Sequence, residues 1–432
     1  MTPTLDEDLR SLVRSEPGSV KCPFATYTRL RSDGGVRWSE DLQAFVVTRH
    51  ETITAIARSP HLFSSEFVSG PGGTGRLARS IVDNPQASTE LKKLAAVRAR
   101  IAENPVLINA DPPAHQRQRK LVNPAFRRAR ILALEQTVDT LVEGLIDTFS
   151  AGGDVEFVKS FAEPLPMTMI ARVLGIAEDR MDDFRRWSDA ITGATGAKPD
   201  DEDLIRRIFG DMQEFFEYFS EELDARRTQP KDDVLTDLLN AQDEHEQLSE
   251  DEILGMLAQF LTAGNETTTA LLASTLLRLA ERPDEASELR ANPDRIPAYI
   301  EEMLRLEAPI QGLFRTALTD TELEGVDIPA GSFVWIGYAA GNRDDHVYDD
   351  ADQLLLDRAK SNHLSFGHGE HTCLGAPLAR LETRVAVGAL LRRFEKIALI
   401  GTPEQVPYRP NFVMHAPTEL HLRLTRTETD PV

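Results

Sequence analysis

The sequence predicts a mainly helical protein that also carries a minor β-sheet. Residues 131–240 are mostly amphipathic helix by pattern. Residues 253–279 place apolar side chains almost all round a helix, which is typical of a helix buried on every side. Residues 316–340 instead alternate between turn signals, which is typical of short strands. These three observations favour helices as the main structural layer, with a few strands at its edge.

Composition limits the classes of function. The 432 residues include 48 basic and 70 acidic side chains, giving a formal net charge of −22, which argues against nucleic acid or an anionic membrane as the main partner. Only two cysteines occur, so there is no disulfide framework and a reducing compartment fits. The N-terminus is polar and acidic, unlike a signal peptide, and no apolar run approaches the length that spans a bilayer. We therefore expect a soluble, cytoplasmic protein.

The stretch 364–382 is the one around which the chain is organised. Gly367, Gly369 and Gly375 crowd around Cys373, and a leucine-rich helical pattern begins directly afterwards. Glycine permits tight turns and close approach to the backbone. Unpaired N–H groups and the dipole at a helix start stabilise a thiolate. The stretch predicts an anionic sulfur in a tight loop, facing something large and flat.

Local chemistry alone leaves four interpretations of this cysteine. It could be a small buried hydrophobe. It could join His363, His368 and His371 in a zinc site, although that spacing is not a usual structural one. It could be a nucleophile with His371 as its base. It could also be the thiolate ligand of haem iron.

The order of residues favours the last interpretation. Phe366-Gly367-x-Gly-x-His371-x-Cys373-x-Gly375 resembles the haem-binding loop of the cytochrome P450 family over its whole length. The resemblance implies that Cys373 is the axial ligand, that His371 holds a haem propionate, and that the rest of the loop lies against haem b. It implies the family's mainly α, single-domain fold with a small antiparallel β region, covering about residues 20–425 of 1–432 and leaving 1–19 as an N-terminal extension.

A second motif begins at Asp111, a predicted N-cap followed by Pro112. His115 and Arg119 lie four residues apart and share a helix face. Alone, the pair could be a solvated basic face. By resemblance to the family's His-x-x-x-Arg pair, it holds propionates.

The same region contains a basic cluster in an otherwise acidic chain, and such a cluster could dock an acidic electron donor. Its members are Arg117, Lys120, Arg127, Arg128 and Arg130. The resemblance implies electrons from NAD(P)H through a separate ferredoxin and reductase, because the chain has no flavin motif and no spare cysteine for a cluster. A merely solvated charge run remains open.

The central helix begins with a capping box, Ser249 to Glu252. In its middle, Ala263, Gly264, Thr267 and Thr268 fall on one face and form a shallow surface against which a flat cofactor can lie. A notch for helix packing is the alternative. The sequence resembles the P450 oxygen-binding motif, which implies that the acid–threonine pair Glu266 and Thr267 delivers protons to dioxygen.

Further motifs lie between this helix and the cysteine loop. Glu302 and Arg305 match the family's Glu-x-x-Arg motif, with Arg358 as a third member, and their implied role is to steady the region behind the cysteine loop. Arg315 resembles the second propionate-binding arginine. The residues expected to line a substrate pocket are Ala263, Ile310, Leu313, Phe314 and Val413. By the resemblance, we expect the segment 64–110 to be longer than usual in the family, and the sequence leaves its path open.

Together, five ordered elements imply a monomeric monooxygenase that activates O2 and hydroxylates or epoxidises a hydrophobic small molecule. A peroxide-driven relative and a non-enzymatic haem sensor or carrier are the alternatives, and the intact Glu266–Thr267 pair argues against both. Steroid, terpenoid, fatty acid, polyketide and aromatic substrates all remain open.

Overall fold

A computed structural model of the protein describes residues 4–67, 70, 74–149, 151–193, 201–243, 246–358 and 361–427. The helices are α1 (Leu5–Val13), α2 (Pro17–Lys21), α3 (Phe24–Ser32), α4 (His50–Ala57), α5 (Thr74–Asp83), α6 (Thr89–Ala102), α7 (Ala114–Val122), α8 (Arg128–Ala133), α9 (Glu135–Asp147), α10 (Pro164–Leu174), α11 (Met181–Gly193), α12 (Glu202–Thr228), α13 (Val234–Asn240), α14 (Glu250–Glu281), α15 (Pro283–Ala291), α16 (Ile296–Leu306), α17 (Tyr338–Gly341) and α18 (Ala376–Arg393). The strands are β1 (Val36–Ser39), β2 (Ala44–Val47), β3 (Phe63–Ser64), β4 (Gly153–Glu156), β5 (Gln242–Asp243), β6 (Glu246–Gln247), β7 (Leu313–Ala317), β8 (Thr321–Leu323), β9 (Val326–Ile328), β10 (Phe333–Ile336), β11 (Phe394–Leu399) and β12 (His421–Arg426).

The 32-residue helix α14 runs through the interior and begins at the predicted capping box, in which Ser249 and Glu252 bond to each other's backbone N–H. Its first half, up to Leu261, packs into a hydrophobic cluster with α6 and α12. Its second half, from Leu271, packs into another cluster with α16 and α18. The stretch 262–270 belongs to neither cluster, so the polar and small residues of the helix lie between the two cores.

The β region is small, as predicted, but it is not wholly antiparallel. The largest sheet has the order β1-β2-β10-β7-β3, and all its pairs are antiparallel except β2 with β10, which run parallel. A parallel pair needs a long connection between its strands. Nearly 300 residues, including most of the helices, separate β2 from β10 in sequence. A second sheet has the order β11-β12-β4, and both of its pairs are antiparallel.

The segment 64–110, whose path the sequence left open, forms a pair of packed helices, α5 and α6. Helix α6 lies on α12 and α14, so the insertion covers the first half of the central helix. Near the N-terminus, helix α1 buries Leu9 and Leu12 in a cluster that includes Trp335. Residues of the predicted N-terminal extension therefore contribute to the core.

No helix in the described part of the chain is both long enough and apolar enough to cross a bilayer.

Candidate active site

The cysteine loop is closed by its own backbone. The N–H of Cys373 donates to the carbonyl of Phe366 at 2.8 Å. Gly367 and Gly369 have left-handed φ values of 69° and 72°, and a Cβ at position 369 would stand 2.5 Å from the carbonyl oxygen of Ala57. These positions therefore need glycine, both for the turn and for the close approach of α4. Helix α18 starts at once, with Gly375 as its N-cap.

The Cys373 side chain is accessible, yet desolvation by the surrounding protein raises the pKa of its thiol. A side chain that is accessible and yet desolvated must face a space inside the protein rather than bulk solvent. Hydrogen bonds from the backbone N–H groups of Gly375 and Ala376 favour the thiolate, as do the charges of Arg119 and Arg380. These groups favour the thiolate but do not outweigh burial, since the net shift of the Cys373 pKa is upward.

On α14, Ala263 is exposed although it lies in the middle of a buried helix, so it also faces an interior space. The Thr267 hydroxyl donates to the carbonyl of Ala263 at 2.7 Å. Thr268 is buried, and Gly264 lies against Ile170 of α10, where a Cβ would stand at 3.4 Å. The accessible part of the predicted face is thus Ala263 and Thr267, while Gly264 and Thr268 meet neighbouring helices.

Glu266 makes a contact that the sequence did not predict. Its Oε1 accepts a hydrogen bond from Arg409 at 2.9 Å in a partly buried ion pair. Arg409 lies in the C-terminal segment, 143 residues away. No spacing rule connects residues so far apart, which is why sequence reasoning missed this partner.

Two histidines and two arginines predicted to bind propionates lie together. The rings of His115 and His371 have centroids 4.1 Å apart. Arg119 donates to the carbonyl of Thr372 at 3.0 Å. Burial and the nearby Arg119 lower the pKa of His115 to about 4, and burial and Arg315 lower that of His371 to about 3. Both imidazoles are therefore neutral at pH 7.

The cluster also contains buried polar atoms that lack partners. Nδ1 of His115, Nδ1 of His371 and Oε1 of Glu370 make no hydrogen bond within the described residues. The two unsatisfied imidazole nitrogens, beside two guanidinium groups, suit a bound carboxylate. Glu370 was missed by the sequence analysis, because it occupies a variable position inside the cysteine motif.

Asp111 does not act as the predicted N-cap. Helix α7 begins at Ala114, after Pro112 and Pro113, and neither proline offers an N–H for a cap to bind. The Asp111 carboxylate instead accepts from the N–H of Ser65 at 2.8 Å. Ser65 in turn contacts Nε2 of His371 at 3.1 Å, so Asp111 steadies the histidine cluster.

The three members of the predicted structural motif also meet. Arg305 donates twice to the Glu302 carboxylate, at 2.8 Å each, and Arg358 approaches the same carboxylate at 3.3 Å. Arg305 further donates to the carbonyls of Asn342 and Gln353. Burial opposes ionisation of Glu302, but the bonds from Arg305 and from the N–H of Leu355 outweigh it and hold its pKa below the usual range.

The predicted pocket residues divide between two faces. Leu313 and Ile310 are partly buried, and Leu313 shares a face of β7 with Arg315 because alternate residues of a strand point the same way. Phe314 points to the opposite face and packs beside Trp335 and Phe412 in the core. Val413 lies next to Ile310, since its carbonyl accepts from the N–H of Gln311 at 2.7 Å.

The other interpretations of Cys373 find little geometric support. His363 bonds to Glu301, and the described residues that group metal-type donors are His115, Glu370 and His371, without Cys373. No hydrogen bond links the described side chains of His371 and Cys373.

Comparisons with known proteins agree with the geometry. The family model described as "Cytochrome P450" matches residues 198–423. The chain is 33% identical over 404 residues to cytochrome P450 107B1 of Saccharopolyspora erythraea, covering 92% of this chain and 94% of that protein. The chain belongs to the cytochrome P450 family. It is also 34% identical to the mycinamicin IV hydroxylase/epoxidase of Micromonospora griseorubida, over 88% of this chain and 89% of that one. The solved structure of CYP109Q5 from Chondromyces apiculatus superposes with a TM-score of 0.82 and 31% identity, covering 96% and 98% of the two chains.

Membership of the P450 family confirms the predicted fold and class of enzyme. The protein is a haem–thiolate monooxygenase of the bacterial type. The site fits haem: a supported sulfur lies in one loop, an accessible strip of small side chains lies on α14, and a group of cations and unsatisfied imidazoles suits two carboxylates.

The burial of Glu302 and Arg305 predicts that loss of their ion pair costs more free energy of unfolding than loss of an exposed ion pair. We expect Glu302→Gln to lower the free energy of unfolding by about 3–5 kcal/mol, because it leaves the fully buried Arg305 without its counter-charge. The pKa of Glu302 is lower in the folded protein than in the unfolded chain. The ion pair therefore stabilises the fold above about pH 4.5, and this contribution is lost as the pH falls through the folded-state pKa. Denaturant unfolding of the haem-loaded protein at pH 7 and at lower pH measures both effects.

Glu135→Gln is the matched control. Glu135 forms a 2.8 Å ion pair with Arg384, but both side chains are exposed, so its loss costs about 0–1 kcal/mol. Equal effects of the two substitutions would contradict the assignment of a buried structural role to Glu302.

Proposed function

We propose that this P450 uses Cys373 as the axial ligand of haem iron. The observation that carries the proposal is a desolvated yet accessible sulfur that receives two backbone N–H groups at the start of α18. When bound, haem supplies the activation of dioxygen, so that one oxygen atom enters a C–H bond or a double bond of the substrate. The closed loop holds the sulfur at one position and the two N–H groups limit its basicity.

Arg119, Arg315, His115 and His371 would orient the cofactor. The guanidinium groups match carboxylates in charge and geometry. The two neutral imidazoles can each donate an N–H to a propionate oxygen, which would satisfy the nitrogens that are buried without partners. The residues that would hold the propionates come from α7, β7 and the cysteine loop.

On α14, Thr267 and Glu266 would position and transfer protons. The Thr267 hydroxyl donates its hydrogen to the carbonyl of Ala263, which leaves its oxygen able to accept a hydrogen bond from water. Glu266 is held by Arg409, so it must exchange that bond, or act through water, in order to pass a proton towards Thr267.

The substrate would be a hydrophobic small molecule that lies beside Ala263, Ile310, Leu313 and Val413. Support comes from the apolar character of these positions, of which Ala263 is accessible and the other three are partly buried, and from the relative named as a hydroxylase and epoxidase. Phe314, on the core side of β7, would support this wall from behind.

Electrons would come from NAD(P)H through a ferredoxin that docks near α8, which packs against α18. The predicted cluster does not act as one surface: Arg117 pairs with Glu252, and Arg130 pairs with Asp237. Arg127 and Arg128 are exposed. We assign the docking role mainly to these two arginines, with the exposed Lys120 beside them. A cytoplasmic location would supply such a donor.

The first test is the absorption spectrum of the dithionite-reduced protein under carbon monoxide. We expect a strongly red-shifted Soret band, because a thiolate lies opposite the carbon monoxide, and we expect Cys373→Ser to lose that band. Cys22→Ser removes the other thiol and should leave the spectrum unchanged. A band where histidine-ligated haems absorb would overturn the proposal.

Thr267→Ala should keep the haem but divert reducing equivalents to hydrogen peroxide, so that product formed per NAD(P)H consumed falls several-fold. Thr262→Ala is the matched control, since Thr262 makes the same kind of bond to a carbonyl one turn back, to Ala258 at 2.7 Å. Peroxide yield and product are measured together. Unchanged coupling in Thr267→Ala would remove this hydroxyl from the mechanism.

Reversing the charge of Arg127 and Arg128 to Glu should weaken ferredoxin binding by about tenfold, mostly through slower association, and the defect should shrink at high salt. Arg14→Glu, at the C-cap of helix α1, is the control. The measurement is the rate of haem reduction at increasing concentrations of ferredoxin. Equal effects at both places would show that docking uses another surface.

A further inference from the structure

An ion pair lies directly behind the cysteine loop. Arg380 of α18 donates through Nε and Nη2 to the two carboxylate oxygens of Glu301 on α16, at 2.6 and 2.8 Å. His363 contacts the second oxygen at 3.2 Å. The Arg380 guanidinium lies 4.5 Å from the centroid of the Phe366 ring. The pair therefore touches the residue that opens the loop.

This pair is coupled to the sulfur by short contacts. Phe366 accepts the N–H of Cys373 at 2.8 Å, so the ring beneath Arg380 and the cysteine belong to one closed turn. Arg380 is also among the charges that favour ionisation of Cys373, after the backbone N–H groups and Arg119. Arg119 and Arg380 act on the thiolate as full positive charges, and they reach it from α7 and α18.

Glu301 is ionised over the whole physiological range. Burial opposes its charge, but Arg380 and His363 outweigh burial and lower the pKa of Glu301 to about 2. The carboxylate therefore offsets part of the positive charge that Arg380 presents to the loop. Because the pair is partly exposed, with 42% and 28% of the two side chains accessible, a change in either charge also changes a field that salt can screen.

We propose that the Glu301–Arg380 pair sets the reduction potential of the iron, with Arg380 raising the potential and Glu301 lowering it. This rests on the proposed role of Cys373 as ligand. Reduction adds one negative charge beside an already anionic sulfur, so a nearby cation favours the reduced form and a nearby anion disfavours it. Arg380 and Glu301 are positioning and charge-setting residues rather than catalytic ones.

A purely structural pair behaves differently. If it only ties α16 to α18, removal of either member loosens the loop in the same way, and both variants move together. If it acts through charge, the two variants move in opposite directions. The sign of the shift separates the two roles.

The experiment is a redox titration of the haem-loaded protein at low ionic strength, with the carbon monoxide spectrum of each variant recorded beside it. Glu301→Gln should favour reduction and Arg380→Gln should disfavour it, each by about threefold in the equilibrium constant, or ~28 mV at 59 mV per tenfold. Arg380→Lys keeps the charge and should stay near the wild type. Both shifts should diminish at high salt.

The control pair joins Arg384, one turn along α18 from Arg380, to Glu135 of α9. Arg384→Gln and Glu135→Gln dissolve an ion pair of similar length, 2.8 Å, that is not among the charges acting on Cys373, and should leave the potential unchanged. Shifts of the same sign in Glu301→Gln and Arg380→Gln, or shifts no larger than those of the controls, overturn the inference. If Arg380→Gln does not fold, Glu301→Gln alone decides, since an unchanged or lowered potential contradicts the proposal. A wild-type protein without the thiolate band would instead refute the role of Cys373 itself.

Discussion

The proposed chemistry of the site requires that a sulfur anion be stabilised away from bulk water. Burial disfavours a thiolate, so Cys373 needs dipoles and positive charges close by. The start of α18 supplies the dipoles through the N–H groups of Gly375 and Ala376, and Arg119 and Arg380 supply the charges. These groups come from α7, from α18 and from the cysteine loop that precedes α18. The chemistry therefore requires that these elements pack together.

The same requirement explains the buried polar motifs around the loop. Glu302 and Arg305 are almost fully buried, and such a pair is poor evidence of net stabilisation. Its value lies in position, because Arg305 donates to backbone carbonyls in two separate stretches, at Asn342 and at Ala351 and Gln353. On the other side of the site, α14 passes through both large hydrophobic clusters and leaves its polar middle between them. Rigid packing on both sides thus frames a short stretch that packs into neither cluster.

Much of the site could be predicted because its signals are local. The glycines around Cys373, the four-residue spacing of His115 and Arg119, and the three-residue spacing of Glu302 and Arg305 each express a geometric need within one loop or one helix turn. The partners that were missed are distant: Arg409 reaches Glu266 across 143 residues, and Arg380 reaches Glu301 across 79.

By itself, the sequence determined the helical character of the chain and the local geometry of the cysteine loop, because a periodic apolar helix and a tight turn before a helix are encoded by neighbours in the chain. The class of the protein followed from the resemblance of its ordered motifs to one family. Only the tertiary structure decided which charges face one another. It engaged Arg117 and Arg130 in internal ion pairs, turned Phe314 into the core, and joined β2 to β10 in parallel. Those outcomes depend on how separate elements pack, and packing is set by the sum of many contacts rather than by any one spacing.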